Sequence, residues 1–350
     1  MSGGDGRAVT VIVPACRSDE ALRRCAVSLA ALSPAADEVV LVADGAEARA
    51  QLEPLAAEFG FKLAATPHRR GPGAARNAGA AVAGGDLLLF VDADVAVPPA
   101  LIEQVRAAMA DRSIAAVIGS YDRHPAALNL LSQYKNLLQH HVHQQARHDA
   151  FTFWGACGAI RREVFQQLRG FDETCDNPAI EDIELGYRMR AAGHRIRLVP
   201  EVQVKHLKRW TAGSLFVSDV FRRAIPWSRL ILRAGRLEND LNIGWLSRIK
   251  VGLAQMVVLC LIGAAAWSPL AWAALAATAT LIALDWPLLR FFIRERGVLF
   301  TVAATPWHLF HHWYSGAAFG YVLLSRAWTP SKPAPQQPAH IDTVMTEPAR

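Results

Sequence analysis

The sequence predicts an α/β domain with a mostly parallel central sheet, followed by C-terminal membrane helices. Three observations carry that prediction. Short β-branched runs alternate with helically spaced apolar residues through the first half of the chain. Two of those runs end in carboxylates, at the strand ends where open α/β sheets bind ligands. Apolar residues make up 52% of the 350, and they concentrate after residue 248 in blocks close to the length that crosses a bilayer.

Taken in order, Val9–Val13 is a β-branched run closed by Pro14, a buried-strand pattern. Leu22, Ala26, Leu29 and Leu32 fall at helical spacing over 19–32, and Val39–Val42 forms a second strand ended by Asp44-Gly45. A helix near 47–59, a strand near 61–65, the basic loop HRRGPG (68–73) and a helix over 74–83 follow. The strand at 87–91 opens the segment LLLFVDADV, with a helix at 99–110 and a strand at 114–119 beyond it. The polar stretch 127–148 is expected to be a solvated or acceptor-side helix. Its His140, His141, His143 and His148 lack the carboxylate or cysteine spacing of a metal site. The segment WGACGAIRREVF leads into a helix, and IEDIELGYRMRAAG is an acidic helix start that precedes another strand.

Three apolar blocks come last: Ile249–Trp267, Leu270–Leu289 and Val298–Leu324. The first two have the length of spans; the third, with His308, His311 and His312, reads as a span, a re-entrant piece or an interfacial helix. The arginines of RFFIRER (290–296) and the cations of 205–250 place both regions on the cytoplasmic side. The expected division is a catalytic-type domain over 1–210, an interfacial amphipathic segment over 211–248, a membrane region of two to three spans over 249–326 and a disordered tail over 327–350. A multi-pass protein of the inner membrane, with its first domain in the cytoplasm, follows. The start MSGGDGRAVTVIVPA has neither the basic beginning nor the apolar core of a signal peptide.

Charge narrows the partners. Net charge is +6, with the excess between Lys205 and Lys250, which suits an anionic substrate, an anionic membrane surface or both. No nucleic-acid motif accompanies it, so nucleic acid is not an expected partner. The five cysteines form no CxxC pair, which favours free thiols over a disulfide framework. The first strand-to-helix turn, Pro14-Ala15-Cys16-Arg17, has no glycine, which argues against a dinucleotide fold.

The chemistry sits in LLLFVDADV. A buried unpaired carboxylate is costly, so Asp92 and Asp94 need a partner or a task. Two apart on an extended segment, they start on one side of the strand and suit a hard divalent cation. Alternatively, one is a turn former or helix N-cap. Glu181-Asp182 opens a helix, where acidic residues also offset the helix dipole.

Together, VTVIVPA, the strand ending in Asp44, GPGAARNAGAAVAGGDLLLFVDAD, GACGAIRREVF with GFDE, and IEDIELGYRMRAAG resemble the family 2 glycosyltransferases over about residues 9–210. That resemblance implies the GT-A fold and inverting sugar transfer from a nucleotide-diphosphate donor, UDP-sugar favoured, with Mn²⁺ or Mg²⁺ as cofactor. It implies Asp94 and Asp92 as metal ligands, with Asp92 also near the donor ribose. Asp44, Pro14 and Ala15 would bind the base or ribose. The family often has two acidic residues at the Asp44 position, and this chain has Ala43-Asp44. Arg76 and Asn77 would sit by the donor, and Asp182 would act as base, with Glu181 in support.

Membrane-bound members carry Gln-x-x-Arg-Trp where this chain has His206-Leu207-Lys208-Arg209-Trp210. Arg209 would offset pyrophosphate charge, Trp210 would close the acceptor side, and His206 is a third metal ligand or a structural histidine. Trp154 and Gly155 would line the acceptor side, or simply pack. The expected acceptor is a hydroxyl of a lipid or membrane-linked glycan. The rivals are a polyprenyl-phosphate glycosyltransferase, a processive synthase and a non-catalytic membrane adaptor that keeps the fold.

Overall fold

The computed structural model describes residues 7–174, 180–235 and 243–328. The expected disordered tail from 329 onward and Cys175 lie outside the described residues. Strand β1 (Val9–Ala15) is buried at every position, as a central parallel strand with both faces covered must be. It pairs in parallel with β2 (Glu38–Asp44) on one side and β4 (Leu87–Val91) on the other, and β2 pairs in parallel with β3 (Lys62–Thr66).

Helices α1 (Glu20–Ala30), α2 (Ala46–Phe59) and α3 (Pro72–Val82) connect these strands. Asp19 caps α1 by accepting from the Leu22 N–H at 3.1 Å. Helix α3 starts with Pro72 in its first turn, where a missing N–H costs nothing. It lies close on the sheet: a Cβ at Gly79 would come within 2.5 Å of Ile12 and 2.8 Å of Val42.

Beyond β4 come the short β5 (Val95–Ala96), α4 (Leu101–Ala108), β6 (Ile114–Tyr121), α5 (Leu130–Gln145), β7 (Asp149–Ala150), β8 (Cys157–Arg161), α6 (Arg162–Gln167), α7 (Glu181–Ala191) and β9 (Arg195–His206). Among the described residues the sheet has nine strands, in the order β3-β2-β1-β4-β8-β6-β9-β5, with β7 on β9. Strand β8 runs antiparallel between β4 and β6, so the sheet is parallel in its first half and mixed in its second. Phe90, fully buried, packs edge-on against Phe153 and Phe171 beneath the carboxyl end of β4.

Helix α5 departs from expectation. It is not solvated: Tyr134, Asn136, Leu137, His140 and His143 are buried. His140 and His143 bond through Nδ1 to the carbonyls of Tyr121 and Gly119 at 2.7 and 3.2 Å. They help to satisfy buried β6 carbonyls, that of Tyr121 accepting from Ser120 Oγ as well, at 3.2 Å.

The remainder is helical: α8 (Ala212–Val217), a π-helical stretch Ser218–Ala224, α9 (Ile225–Ala234), α10 (Trp245–Gly263), α11 (Pro269–Leu284), α12 (Trp286–Arg296) and α13 (Val298–Trp328). Of the expected spans, α10 is long and apolar enough to cross a membrane by itself. The second block is broken at Asp285, where α11 and α12 bend by 61°, so it counts as a span only if the pair is taken together. Tyr134, Leu137, Trp210, Leu288 and Phe292 form a second apolar cluster that ties α5 to the C-terminal helices. Cys16, Cys25, Cys157 and Cys260 are free.

Candidate functional site

The register of the sheet collects the site at one rim. Strands β1, β2 and β4 all run toward it, so Pro14, Ala15, Asp44 and Asp92 stand at neighbouring carboxyl ends. Val91 pairs with Cys157, which brings the start of β8 and the preceding Trp154-Gly155 to the same edge. Val95 pairs with His206, which adds the end of β9. Pro14 and Ala15 lie opposite Val42 and Ala43, beside Asp44.

Arg76 is the centre of the arrangement. It projects from α3 and is only 3% exposed. Its Nη2 donates to Asp92 at 2.6 Å and its Nη1 to Glu181 at 2.7 Å. The guanidinium also lies 5.4 Å from the centre of the Phe171 ring. Gly155 makes room for it, since a Cβ there would stand 2.8 Å from Nη2. One buried cation thus joins the helix after β3, the carboxylate after β4 and the acidic start of α7.

Asp182, next to Glu181, accepts from the Gly155 N–H at 3.0 Å through Oδ2. Burial pushes its carboxyl up to about 6, and the negative charge of Glu181 adds to the rise, while Arg76 and Arg223 oppose it. Asp94 faces the other way. Its Oδ2 is 4.0 Å from His206 Nε2 and 3.7 Å from Lys208 Nζ. The His206 ring stacks on Tyr121 at 4.3 Å, and burial lowers its pKa to about 3, so the ring is neutral.

Several expected binding side chains have other engagements. Asp44 is buried and accepts from the N–H groups of Arg70 and Gly71 at 2.8 and 2.9 Å, and from Thr66 Oγ1 at 3.1 Å. Its carboxylate therefore shapes the basic loop instead of lying open. Asn77 is engaged within the fold: its amide bonds the Phe171 carbonyl and N–H, at 2.9 Å each, and holds the turn after α6.

Trp154 is buried and packs perpendicular to the Tyr121 and His143 rings, as a wall of the core beside the rim. Trp210 is also buried, at the junction with α5, and its carbonyl accepts from Asn129 at 2.7 Å. Arg209 is exposed, and the cation beside Asp94 is its neighbour Lys208, which also lies 4.4 Å from the centre of the Trp210 ring.

The sequence reading passed over Lys208, Tyr121 and Arg223. Arg223 belongs to the segment read as interfacial, yet its charge acts on both Asp182 and His206. The cationic run over 205–250 was a signal for it, but nothing in the spacing shows which arginine turns toward the rim.

Comparison with known proteins finds glycosyltransferases among the chains that are similar to this one. Residues 10–169 match Glycosyl transferase family 2, and the chain has a GT-A type α/β fold. It is 28% identical over 227 residues to the pre-mycofactocin glycosyltransferase of Mycobacterium tuberculosis, a match covering 61% of this chain and 47% of that protein. It is also 28% identical over 236 residues to the probable glycosyltransferase YdaM of Bacillus subtilis, covering 60% of this chain and 56% of that one. The chain thus spans about half the length of these curated relatives. Among solved structures it resembles the mannosyltransferase PcManGT of Pyrobaculum calidifontis, determined with GDP-Man and Mn²⁺. The TM-score is 0.60 at 20% identity, over 86% of this chain and 88% of that one.

Proposed function

We propose that this chain is an inverting, divalent-metal-dependent glycosyltransferase that uses a nucleotide-diphosphate sugar, UDP-sugars being the first donors to test. The acceptor in this reading is a hydroxyl of a lipid or membrane-linked glycan. The observation that carries it is the joining of Asp92, Arg76, Glu181 and Asp182 into one rim network. A transferase to a hydroxyl needs a carboxylate base beside the donor's charge, and this network supplies one.

The residues present fit Mn²⁺ or Mg²⁺. Asp94 Oδ2 and His206 Nε2 are 4.0 Å apart, about 0.6–1.1 Å wider than neighbouring ligands of one small cation, so a side-chain rotation would bring both onto it. His206 is neutral, as a ligand must be, and Asp92 offers a second carboxylate beside it. When bound, the metal supplies charge neutralisation for the departing diphosphate. Arg76 holds Asp92 in place and is itself screened from solvent. Asp182 takes the acceptor proton, and its raised pKa brings it closer to the working pH of a general base. The Gly155 N–H fixes the direction of that carboxylate. Lys208 and Arg209 flank the diphosphate side, while Asp44 sets the loop that borders the base.

Membrane attachment is part of the proposal. Helix α10 presents Leu259 and Ile262 outward, α11 presents Trp272, and α13 presents Leu299, all more than half exposed. Such a surface is costly in water and suits a multi-pass inner-membrane protein whose catalytic domain faces the cytoplasm.

The test is a thermal-shift screen of the detergent-solubilised chain against nucleotide-sugars with Mn²⁺. A donor at a hundred times its Kd stabilises by about 2.7 kcal/mol. The stabilisation is expected to vanish in Asp94→Ala. If no nucleotide-sugar raises the melting temperature, the proposal fails. Asp182→Asn is expected to bind donor and lose transfer; retained transfer would point to a polyprenyl-phosphate acceptor, which needs no base.

A further inference from the structure

A second cluster of ligating side chains lies away from the rim, in the C-terminal helices. Asp285 sits at the break between α11 and α12 and is 2% exposed. His308 and His312, four apart on α13, face it from one side of that helix and are 3% and 8% exposed. Their Nε2 atoms lie 3.3 and 3.0 Å from the same oxygen, Asp285 Oδ2. Ligand atoms from all three residues fall within 4.8 Å of one another.

Two details give the cluster the character of a ligand set. His308 Nε2 is buried, and its one neighbour is Asp285 Oδ2 at 3.3 Å, an oxygen already hydrogen-bonded to His312 Nε2 at 3.0 Å, so its own geometry there is poor. Its other nitrogen, Nδ1, is bonded to the Tyr134 hydroxyl at 3.0 Å. Metal-bound histidines are oriented in this way, with the second nitrogen held by an outer partner. The spacing also suits a shared ion. Bonds of about 2.0–2.1 Å place neighbouring donor atoms about 2.9–3.4 Å apart, from six- to four-coordinate geometry. The remaining oxygen, Asp285 Oδ1, is paired with Lys250 Nζ of α10 at 2.7 Å.

We propose that Asp285, His308 and His312 bind a divalent transition metal of the zinc class, distinct from the metal of the donor rim. Two imidazoles and a carboxylate form a three-protein-ligand set of the kind zinc uses with one position left open. Lys250 already offsets the charge of Asp285, so the open position takes an anion, hydroxide being the simplest. The ion would join α13 to the α11–α12 break, while Tyr134 links that junction to α5 of the catalytic domain. His311 is not a ligand: its Nδ1 bonds Tyr314 at 2.8 Å, and it faces Asp219.

The test uses the purified full chain in detergent, stripped by a chelator and titrated with Zn²⁺ or Co²⁺. Asp94→Ala removes the rim site from the measurement. One equivalent of bound metal is expected in that variant, with the visible absorption of low-coordinate Co²⁺. His308→Ala and His312→Ala in the same background are expected to lower affinity at least tenfold. Tyr134→Phe, which keeps the packing, is expected to lower it about 10–100-fold. An Asp94→Ala chain that takes up no metal overturns the proposal, as does uptake unchanged by both histidine variants. Failure of donor binding leaves this result untouched, because the residues are separate.

Discussion

Replacing Arg76 by methionine is the most direct perturbation of the rim. The guanidinium is 3% exposed and Glu181 is 4% exposed. The second oxygen of Glu181 is buried with no hydrogen-bond partner, so Arg76 is what offsets this charge. Removing one member of such a buried pair costs about 3–5 kcal/mol. The Asp92 end matters less to stability: that side chain is 34% exposed, and exposed pairs contribute only about 0–1 kcal/mol. For a domain of this size each kcal/mol moves the melting temperature by about 2–4 °C, so a fall of roughly 6–20 °C is expected.

The assay is thermal unfolding of the detergent-solubilised chain by near-ultraviolet circular dichroism. The double variant Arg76→Met/Glu181→Gln removes the stranded charge as well and is expected to recover most of the loss. A single variant melting within 2 °C of the parent would refute the reasoning, as would a double variant no better than the single.

With Asp182 as the proposed base, transfer is expected to rise with pH along an acid limb near 6, because burial beside Glu181 raises its pKa to about 6 and the base acts deprotonated. The sign for stability is opposite. Between the unfolded pKa near 4 and the folded value near 6, the unfolded chain releases this proton first, so stability falls as pH rises through that window. Glu181→Gln removes a neighbouring negative charge and is expected to shift the kinetic limb to lower pH; an unmoved limb would assign it to another group. Gly155→Ala places a Cβ 2.8 Å from Arg76 Nη2. Such overpacking is expected to destabilise by about 1–3 kcal/mol, and donor-dependent activity should fall with it. Asn77→Ala frees the Phe171 turn, and a loss of about 1–3 kcal/mol is expected, with donor affinity unchanged in a binding titration. A large loss of affinity would return Asn77 to the donor site.

Much of the fold was legible along the chain. β1 and β4 are continuous apolar runs because a central parallel strand is covered on both faces, and that requirement is local. Asp92 and Asp94 were recognisable because they break such a run at its carboxyl end. Glu181-Asp182 was visible as an acidic helix start, though its spacing is equally that of a helix favouring its own dipole. The stretch holding α5 reads as a solvated or acceptor-side helix, and the burial of His140 and His143 was not legible because their partners are β6 carbonyls about twenty residues away.

Residue order and local periodicity thus set the strands, their ligand-facing ends and the switch from a soluble pattern to an apolar one, since each depends on neighbours within a turn or a strand. Contacts between remote segments were settled in three dimensions. Arg76 meets Glu181 across 105 positions, Lys208 and not Arg209 lies by Asp94, Arg223 acts on the rim, and Asp285 meets His308 and His312 at a helix break. Periodicity tells which face of an element is buried. It does not tell which charge on another element lies opposite, and the chemistry of both clusters depends on that pairing.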